Sequence, residues 1–237
     1  MKFFIMTNKY MIFIANWKMY GDKKSLNSLN KVIKFSKSNK SYKFKLIYCP
    51  PYTLLNYFIK KFKKTSIAVG AQNCHQDEKF GPHTGSINCE MIKNTGAQYV
   101  IIGHSENRAE GDNNNLINKK IKSSIKSNLK IIFCIGETLL QRKKKITHQI
   151  LKKQISVALK SIKNANNILF SYEPVWSIGT GIIPKVIDLQ KDINFINNFL
   201  KNNYNIRSPK ILYGGSVNNK NIKILKEIKD IKGFLVG

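Results

Sequence analysis

The sequence predicts a single α/β domain of parallel strands alternating with helices, closed into a barrel or laid out as a doubly wound sheet. Three observations predict it. Eight short apolar runs are continuous rather than alternating, the pattern of strands covered on both faces. They recur about every 20 to 40 residues, which leaves room for one helix per crossover. No linker divides the 237 residues, a length that buries roughly three quarters of the unfolded surface in one unit.

The candidate strands, in order, are Ile12–Ala15, Lys45–Tyr48, Ile67–Ala71, Tyr99–Ile102, Lys130–Cys134, Ile168–Tyr172, Ile211–Tyr213 and Phe234–Val236. The candidate helices are Lys24–Ser38, Thr53–Phe62, Asn114–Ser127, Thr147–Ser161, Ile187–Asn202 and Asn221–Glu227. Ile146, Ile150, Leu151, Ile155, Ala158, Leu159 and Ile162 form one helical stripe with lysines opposite. Periodicity alone does not separate barrel from open sheet. No G-x-G-x-x-G follows the first strand, which removes the main sign of a dinucleotide fold. Residues 1–10 read as a possible N-terminal extension before a barrel beginning near residue 11, with Met1, Met6 and Met11 as alternative starts.

Charge is the most unusual feature: 41 Lys+Arg against 13 Asp+Glu, a formal net charge of +28. A basic surface suggests nucleic acid or membrane. Yet the basic residues are dispersed lysines, with arginine only at Arg108, Arg142 and Arg207. Sequence-reading proteins lean on arginine for bidentate base contacts, so the excess reads as compositional drift in a Lys-, Asn- and Ile-rich chain. No nucleic acid or membrane partner is expected, although a positive field would draw in an anionic substrate. Cys49, Cys74, Cys89 and Cys134 form no CxxC pair and no metal-ligand spacing with the histidines. This indicates reduced thiols, a cytoplasmic setting and no metal. No apolar run reaches the roughly 20 residues that span a bilayer.

In an α/β barrel the chemistry sits where strands end, so the polar residues there are the candidates. Strand one ends in Asn16-Trp17-Lys18-Met19, placing an ammonium at the barrel mouth, suited to a phosphate or a developing enolate. Strand four ends in Gly103-His104-Ser105-Glu106, where Ser105 and Glu106 begin a helical turn. A helix N-terminus disfavours imidazolium, so His104 is expected neutral. Strand six ends in Ser171-Tyr172-Glu173-Pro174, and a strand-end carboxylate is a candidate general base. Pro174 stiffens the near end of the next loop, Gly179-Thr180-Gly181 loosens its far end, and Val175, Trp176 and Ile178 lie between. Such a loop is a lid that buries its apolar residues on closing. Glycine turns after strands seven (Gly214-Gly215-Ser216) and eight (Gly237) fit backbone phosphate binding.

Together with Cys134-Ile135-Gly136-Glu137-Thr138, these motifs resemble the triosephosphate isomerases, in the same order, from about Met11 to Gly237. The resemblance implies a single (β/α)8 TIM barrel lacking the final C-terminal helix, truncated after strand eight. It implies the interconversion of dihydroxyacetone phosphate and D-glyceraldehyde 3-phosphate in glycolysis and gluconeogenesis, without cofactor. By the same resemblance Glu173 is the base and neutral His104 the electrophile, assignments that follow a well-known worked case. Lys18 and Asn16 bind substrate, and Glu106 positions Lys18. Gly179, Ser216 and Gly237 offer N–H groups to phosphate. Ser105 is supporting; Trp176 leans on Glu137 when the lid is open, and Tyr213 receives it when closed. The long loop from Gln72 to Ile87 implies a homodimer, with Thr84 reaching the partner. Departures are Asn107 for an arginine, His83 and Ser86 around Thr84, Ser177 for the lid alanine, and Ile182-Ile183 at the hinge. The ending after Gly237 implies a weakly stable, poorly active chain. The rival readings are a different phosphate-binding barrel enzyme and an inactive homologue whose basic surface binds nucleic acid.

Overall fold

Alternate residues of nearly every strand face opposite sides of one closed sheet, and both sides are apolar. A computed structural model describes residues 10–22, 24–39 and 43–237. Its strands are β1 (Met11–Asn16), β2 (Phe44–Cys49), β3 (Ala68–Ala71), β4 (Tyr99–Ile102), β5 (Lys130–Ile135), β6 (Ile168–Tyr172), β7 (Lys210–Tyr213) and β8 (Ile231–Val236). They pair in parallel in sequence order, and β1 pairs with both β2 and β8 to close the barrel.

Inside the barrel Ile12, Ile14, Ile47, Tyr99, Ile101, Ile132, Leu169 and Leu212 pack into a first core. Their chain neighbours Val100, Ile102, Ile131, Phe133, Phe170 and Ile211 face outward into a second core, shared with the helices. This two-sided burial is why the strands read as unbroken apolar runs.

The helices among the described residues are α1 (Ser28–Ser38), α2 (Tyr52–Phe62), α3 (Cys89–Asn94), α4 (Ser105–Ala109), α5 (Asn114–Lys126), α6 (Leu139–Lys143), α7 (Thr147–Ala158), α8 (Val186–Tyr204) and α9 (Ile222–Leu225). All six predicted helices are present, with shifted ends. The stretch from Lys24 starts as a 3-10 turn, Ser25–Asn27, before α1. The α7 helix stops at Ala158, short of Ser161, which takes a left-handed φ of 63°. The α3, α4 and α6 helices have five or six residues each, too few to show an apolar stripe. β8 begins three residues earlier than its apolar run suggests, because Lys232 and Gly233 interrupt that run.

Between β3 and α3, residues 72–88 carry neither helix nor strand. The expected extension over residues 1–10 lies outside the described residues, except Tyr10. All four cysteines are free and buried. Among the described residues, no helix is long and apolar enough to cross a membrane.

Candidate active site

Lys18 leaves β1 in a left-handed conformation, φ 50°, which strains a residue with a Cβ by about 1–3 kcal/mol. Its surroundings hold it there. The Asn16 side chain accepts from the Lys18 backbone N–H at 3.1 Å, and Gln72 Nε2 donates to the Lys18 and Cys49 carbonyls at 2.9 Å each. The ammonium pairs with Glu106 Oε1 at 2.7 Å. Glu106 is the residue that the sequence resemblance expects to position Lys18, and the two side chains touch here.

His104 caps α4 and is buried. Its Nδ1 accepts from the backbone N–H of Glu106 at 3.3 Å. A backbone N–H can only donate, so Nδ1 is the acceptor in this contact. The Glu106 carboxylate also lies 3.5 Å from Nδ1. Nε2 points towards Glu173, 4.0 Å from Oε2.

Glu173 follows β6 and is only 1% exposed. Oε1 accepts from Ser171 Oγ at 3.3 Å, whereas Oε2 has no hydrogen-bond partner. Burial raises its carboxyl above the ordinary 4.5, with His104, Cys134, Ser171 and Arg108 each offsetting part of that rise. Two glycines make the position possible. A Cβ on Gly136 would lie 1.8 Å from the Glu173 carbonyl oxygen, and one on Gly214 would lie 2.7 Å from Glu173 Cγ.

Beside it stands a second buried carboxylate. Glu137 Oε1 accepts from Trp176 Nε1 and Oε2 from the Tyr172 hydroxyl, both at 3.0 Å. Arg142 and His148 engage Asp192, which also meets Tyr172. The lid thus begins in a polar network that ties Trp176 down. Its next residue, Ser177, donates to the Ile182 carbonyl and lies 3.1 Å from the Tyr213 hydroxyl. Ser177 Oγ also accepts from the Ser216 backbone N–H at 3.2 Å. Trp176 on Glu137 and Ser177 on Tyr213 occur together in this one arrangement.

A cavity of about 100 Å³ opens at the strand ends, lined by Lys18, His104, Gly179, Ser216 and Gly237 among others. One ammonium, one imidazole N–H and the backbone N–H groups of a glycine-rich rim suit an anion. Gly179 takes φ 71°, in the region that favours glycine. Glu173 does not line this cavity; it sits behind His104. Asn16 is buried beneath Lys18, and Ser105 opens α4 half-buried. Thr84 is not among the cavity residues; it lies exposed on the loop between β3 and α3.

Sequence reasoning did not single out Gln72, Ser171 or Arg108. Arg108 donates Nε to the Gly103 carbonyl (2.8 Å), Nη1 to Asn114 Oδ1 (2.8 Å) and Nη2 to the Cys134 carbonyl (3.2 Å), tying the ends of β4 and β5 together. Its signal was available: an arginine retained in a chain that uses lysine almost everywhere else. Ser171 and Gln72 carry no comparable mark.

Against known proteins, the triosephosphate isomerase family profile matches residues 11–237. The triosephosphate isomerase of Thermodesulfovibrio yellowstonii is 40% identical over 94% of this chain and 92% of its own length. That of Bradyrhizobium diazoefficiens is 39% identical over 94% of this chain and 89% of its own. The crystal structure of triosephosphate isomerase from Bartonella henselae superposes with a TM-score of 0.87 at 31% identity, covering 96% of this chain and 92% of that one. The barrel, the order of its strand-end motifs and these relatives agree: the chain belongs to the triosephosphate isomerase family, and it is an isomerase.

Proposed function

We propose that this chain interconverts dihydroxyacetone phosphate and D-glyceraldehyde 3-phosphate by proton transfer through an enediolate, serving glycolysis and gluconeogenesis. The single observation that carries the mechanism is the juxtaposition of Glu173, whose Oε2 lacks a partner, with His104 Nε2 4.0 Å away; in this reading His104 is neutral and carries its proton on Nε2. A buried carboxylate with a free lone pair and a raised pKa is a base waiting for a proton.

The substrate's phosphate lies against the N–H groups of Gly179, Ser216 and Gly237. Its carbonyl oxygen takes a hydrogen bond from His104 Nε2, and Lys18 adds a positive charge. Glu173 removes the proton from the adjacent carbon, leaving the enediolate whose negative charge His104 and Lys18 stabilise. His104 then moves a proton between the two oxygens, and Glu173 returns its proton to the neighbouring carbon. Atoms balance with no redox partner. Glu173 sits behind the cavity wall in this arrangement, so its carboxylate must swing forward as the lid seats on the substrate.

The active form is a homodimer in this reading. Met19 is 96% exposed, Tyr20 76% and Phe80 65%, and exposed large apolar residues mark association surfaces. Phe80 shares the exposed loop with Thr84. A coupled assay with glyceraldehyde 3-phosphate on the wild type, Glu173→Gln and Glu173→Asp tests the chemistry; unchanged rates would sink it. Sedimentation showing a fully active monomer would refute the dimer.

A further inference from the structure

Away from the strand ends, the loop between β3 and α3 gathers two imidazoles and a carboxylate. Asp77 Oδ2 stands between the two rings, 2.7 Å from His83 Nε2 and 3.9 Å from His75 Nδ1. The ring centroids are 4.4 Å apart and the ring planes are tilted by 35°. One ligand atom from each of the three residues falls within 4.8 Å of the others, the only such group of three or more among the described residues. We propose that His75, Asp77 and His83 form a binding site for one zinc-class divalent cation, with water completing the coordination.

The dimensions suit a small tetrahedral ion. Zinc holds nitrogen and oxygen ligands at about 2.0–2.1 Å, which places neighbouring ligand atoms roughly 3.3–3.4 Å apart. One carboxylate–imidazole separation is shorter than that and one longer, each by about half an ångström, and all three ligand atoms lie within 4.8 Å of one another, so the three would have to shift to reach the tetrahedral edges. The Nδ1 lone pair of His75 is held only by a long contact from the Asp77 backbone N–H, 3.3 Å, and is easily released to a metal. The loop is also built to keep its two ends together, because the His75 N–H donates to the Ile87 carbonyl at 2.8 Å.

The donor set selects the class of cation. Two imidazoles with one carboxylate favour zinc and its neighbours in the transition series, while magnesium and calcium take oxygen ligands throughout. The adjacent acid, Glu78, is engaged by Lys126 at 2.6 Å. The thiol of Cys74 is buried and faces Ser124 on α5 at 3.9 Å. Neither joins the cluster. A cation here would link the neck of the loop, at His75, to its outer arm at His83, one residue before Thr84. The inference does not rest on the isomerase reading, and its test does not read isomerase activity.

The test uses the whole chain, stripped with a chelator and titrated with zinc chloride by calorimetry, with metal content counted after dialysis. One zinc per chain is expected, together with a rise in Tm. His75→Ala and His83→Ala should each weaken binding about tenfold or more, and the double variant should abolish it. His83→Gln serves as a second, conservative variant whose folding is checked by circular dichroism. His148→Ala, which removes an exposed histidine outside the loop, should bind as the wild type does. Cobalt should give the visible bands of a tetrahedral nitrogen–oxygen site. Absence of binding, undiminished binding in the double variant, or a thiolate-to-cobalt charge-transfer band would each overturn the proposal.

Discussion

Two carboxylates stand side by side at the ends of β5 and β6, equally buried and differently furnished. Glu137 is 0% exposed, and each of its oxygens accepts a hydrogen bond, with Arg142 3.7 Å away. Glu173 is 1% exposed, has one long contact from Ser171, and leaves Oε2 unpaired. Burial is the first cause raising the carboxyl pKa of both. The structure gives each oxygen of Glu137 a partner and leaves one oxygen of Glu173 without one, and the proposed base role of Glu173 rests on that contrast rather than on burial.

The largest expected effect comes from that difference. Glu173→Gln keeps the shape and removes the base, so kcat should fall about 10²–10⁴-fold, while Tm holds or rises because the amide needs no charged solvation. Glu137→Ala should do the reverse. It strands the indole N–H, at a cost of about 1–3 kcal/mol, while the Tyr172 hydroxyl keeps Asp192 at 3.0 Å, and melting should reveal that loss directly. If Glu173→Gln unfolds the chain and Glu137→Ala does not, the comparison is wrong. Glu173→Asp, which withdraws the carboxylate by one methylene, should lose about 10² in kcat, the scale of a 1 Å misplacement.

The pH profile sharpens the same contrast. Only deprotonated Glu173 can act, so kcat/KM should fall with acid through a pKa above the ordinary 4.5. Stability runs the other way. A carboxyl raised in the folded state retains its proton where the unfolded chain has lost it. Its contribution is therefore favourable below the ordinary value and is lost as pH rises through the raised folded pKa. Glu173→Gln should remove part of that slope in Tm, leaving the part belonging to Glu137. A wild-type acid limb at or below 4.5 would contradict the raised pKa.

Arg108 offers a stability test of intermediate size. In a chain this rich in lysine, the arginines at 108 and 142 sit where a planar fork meets several acceptors at once. Lysine has no such fork. Arg108→Lys should leave the Gly103 or Cys134 carbonyl without a donor and lower stability by about 1–3 kcal/mol. Melting within error of the wild type would mean that drift, not geometry, explains the retained arginine.

Most of this architecture was legible in the sequence because burial on both faces leaves an unbroken apolar run. The eight strands stood out for that reason, and α7 for its stripe. The helices of five or six residues did not, since one and a half turns cannot display a face. Lys18, His104 and Glu173 were legible as polar residues ending apolar strands. Their supports were not. Gln72 and Ser171 act through one or two hydrogen bonds fixed by tertiary placement, and nothing in their neighbours announces it. The cluster of His75, Asp77 and His83 escaped because its spacing matches no standard ligand motif; only the turn of the loop brings the rings within 4.4 Å of each other.

Ser177 carries the smallest expected effect and the finest distinction. It links the two ends of the comparison, coming directly after the tryptophan that Glu137 holds and reaching the strand-seven rim beside Glu173. Its hydroxyl donates to the Ile182 carbonyl, which leaves its lone pairs for the Tyr213 hydroxyl and the Ser216 N–H. In the proposed function Ser216 offers its N–H to the phosphate, and Ser177 would then compete for it. Ser177→Ala frees that N–H and also removes a tie that seats the lid. If releasing the N–H dominates, KM should fall with kcat nearly unchanged; if the tie dominates, kcat should drop with KM rising. Each of these hydrogen bonds is worth about 0.5–1.5 kcal/mol, so freeing the Ser216 N–H alone should change KM by about tenfold or less. Because Tyr213 and Ser216 both lose a partner while Ile182 loses a donor, we expect the tie to dominate. A lower KM at constant kcat would show instead that Ser177 acts as an internal competitor for the phosphate site.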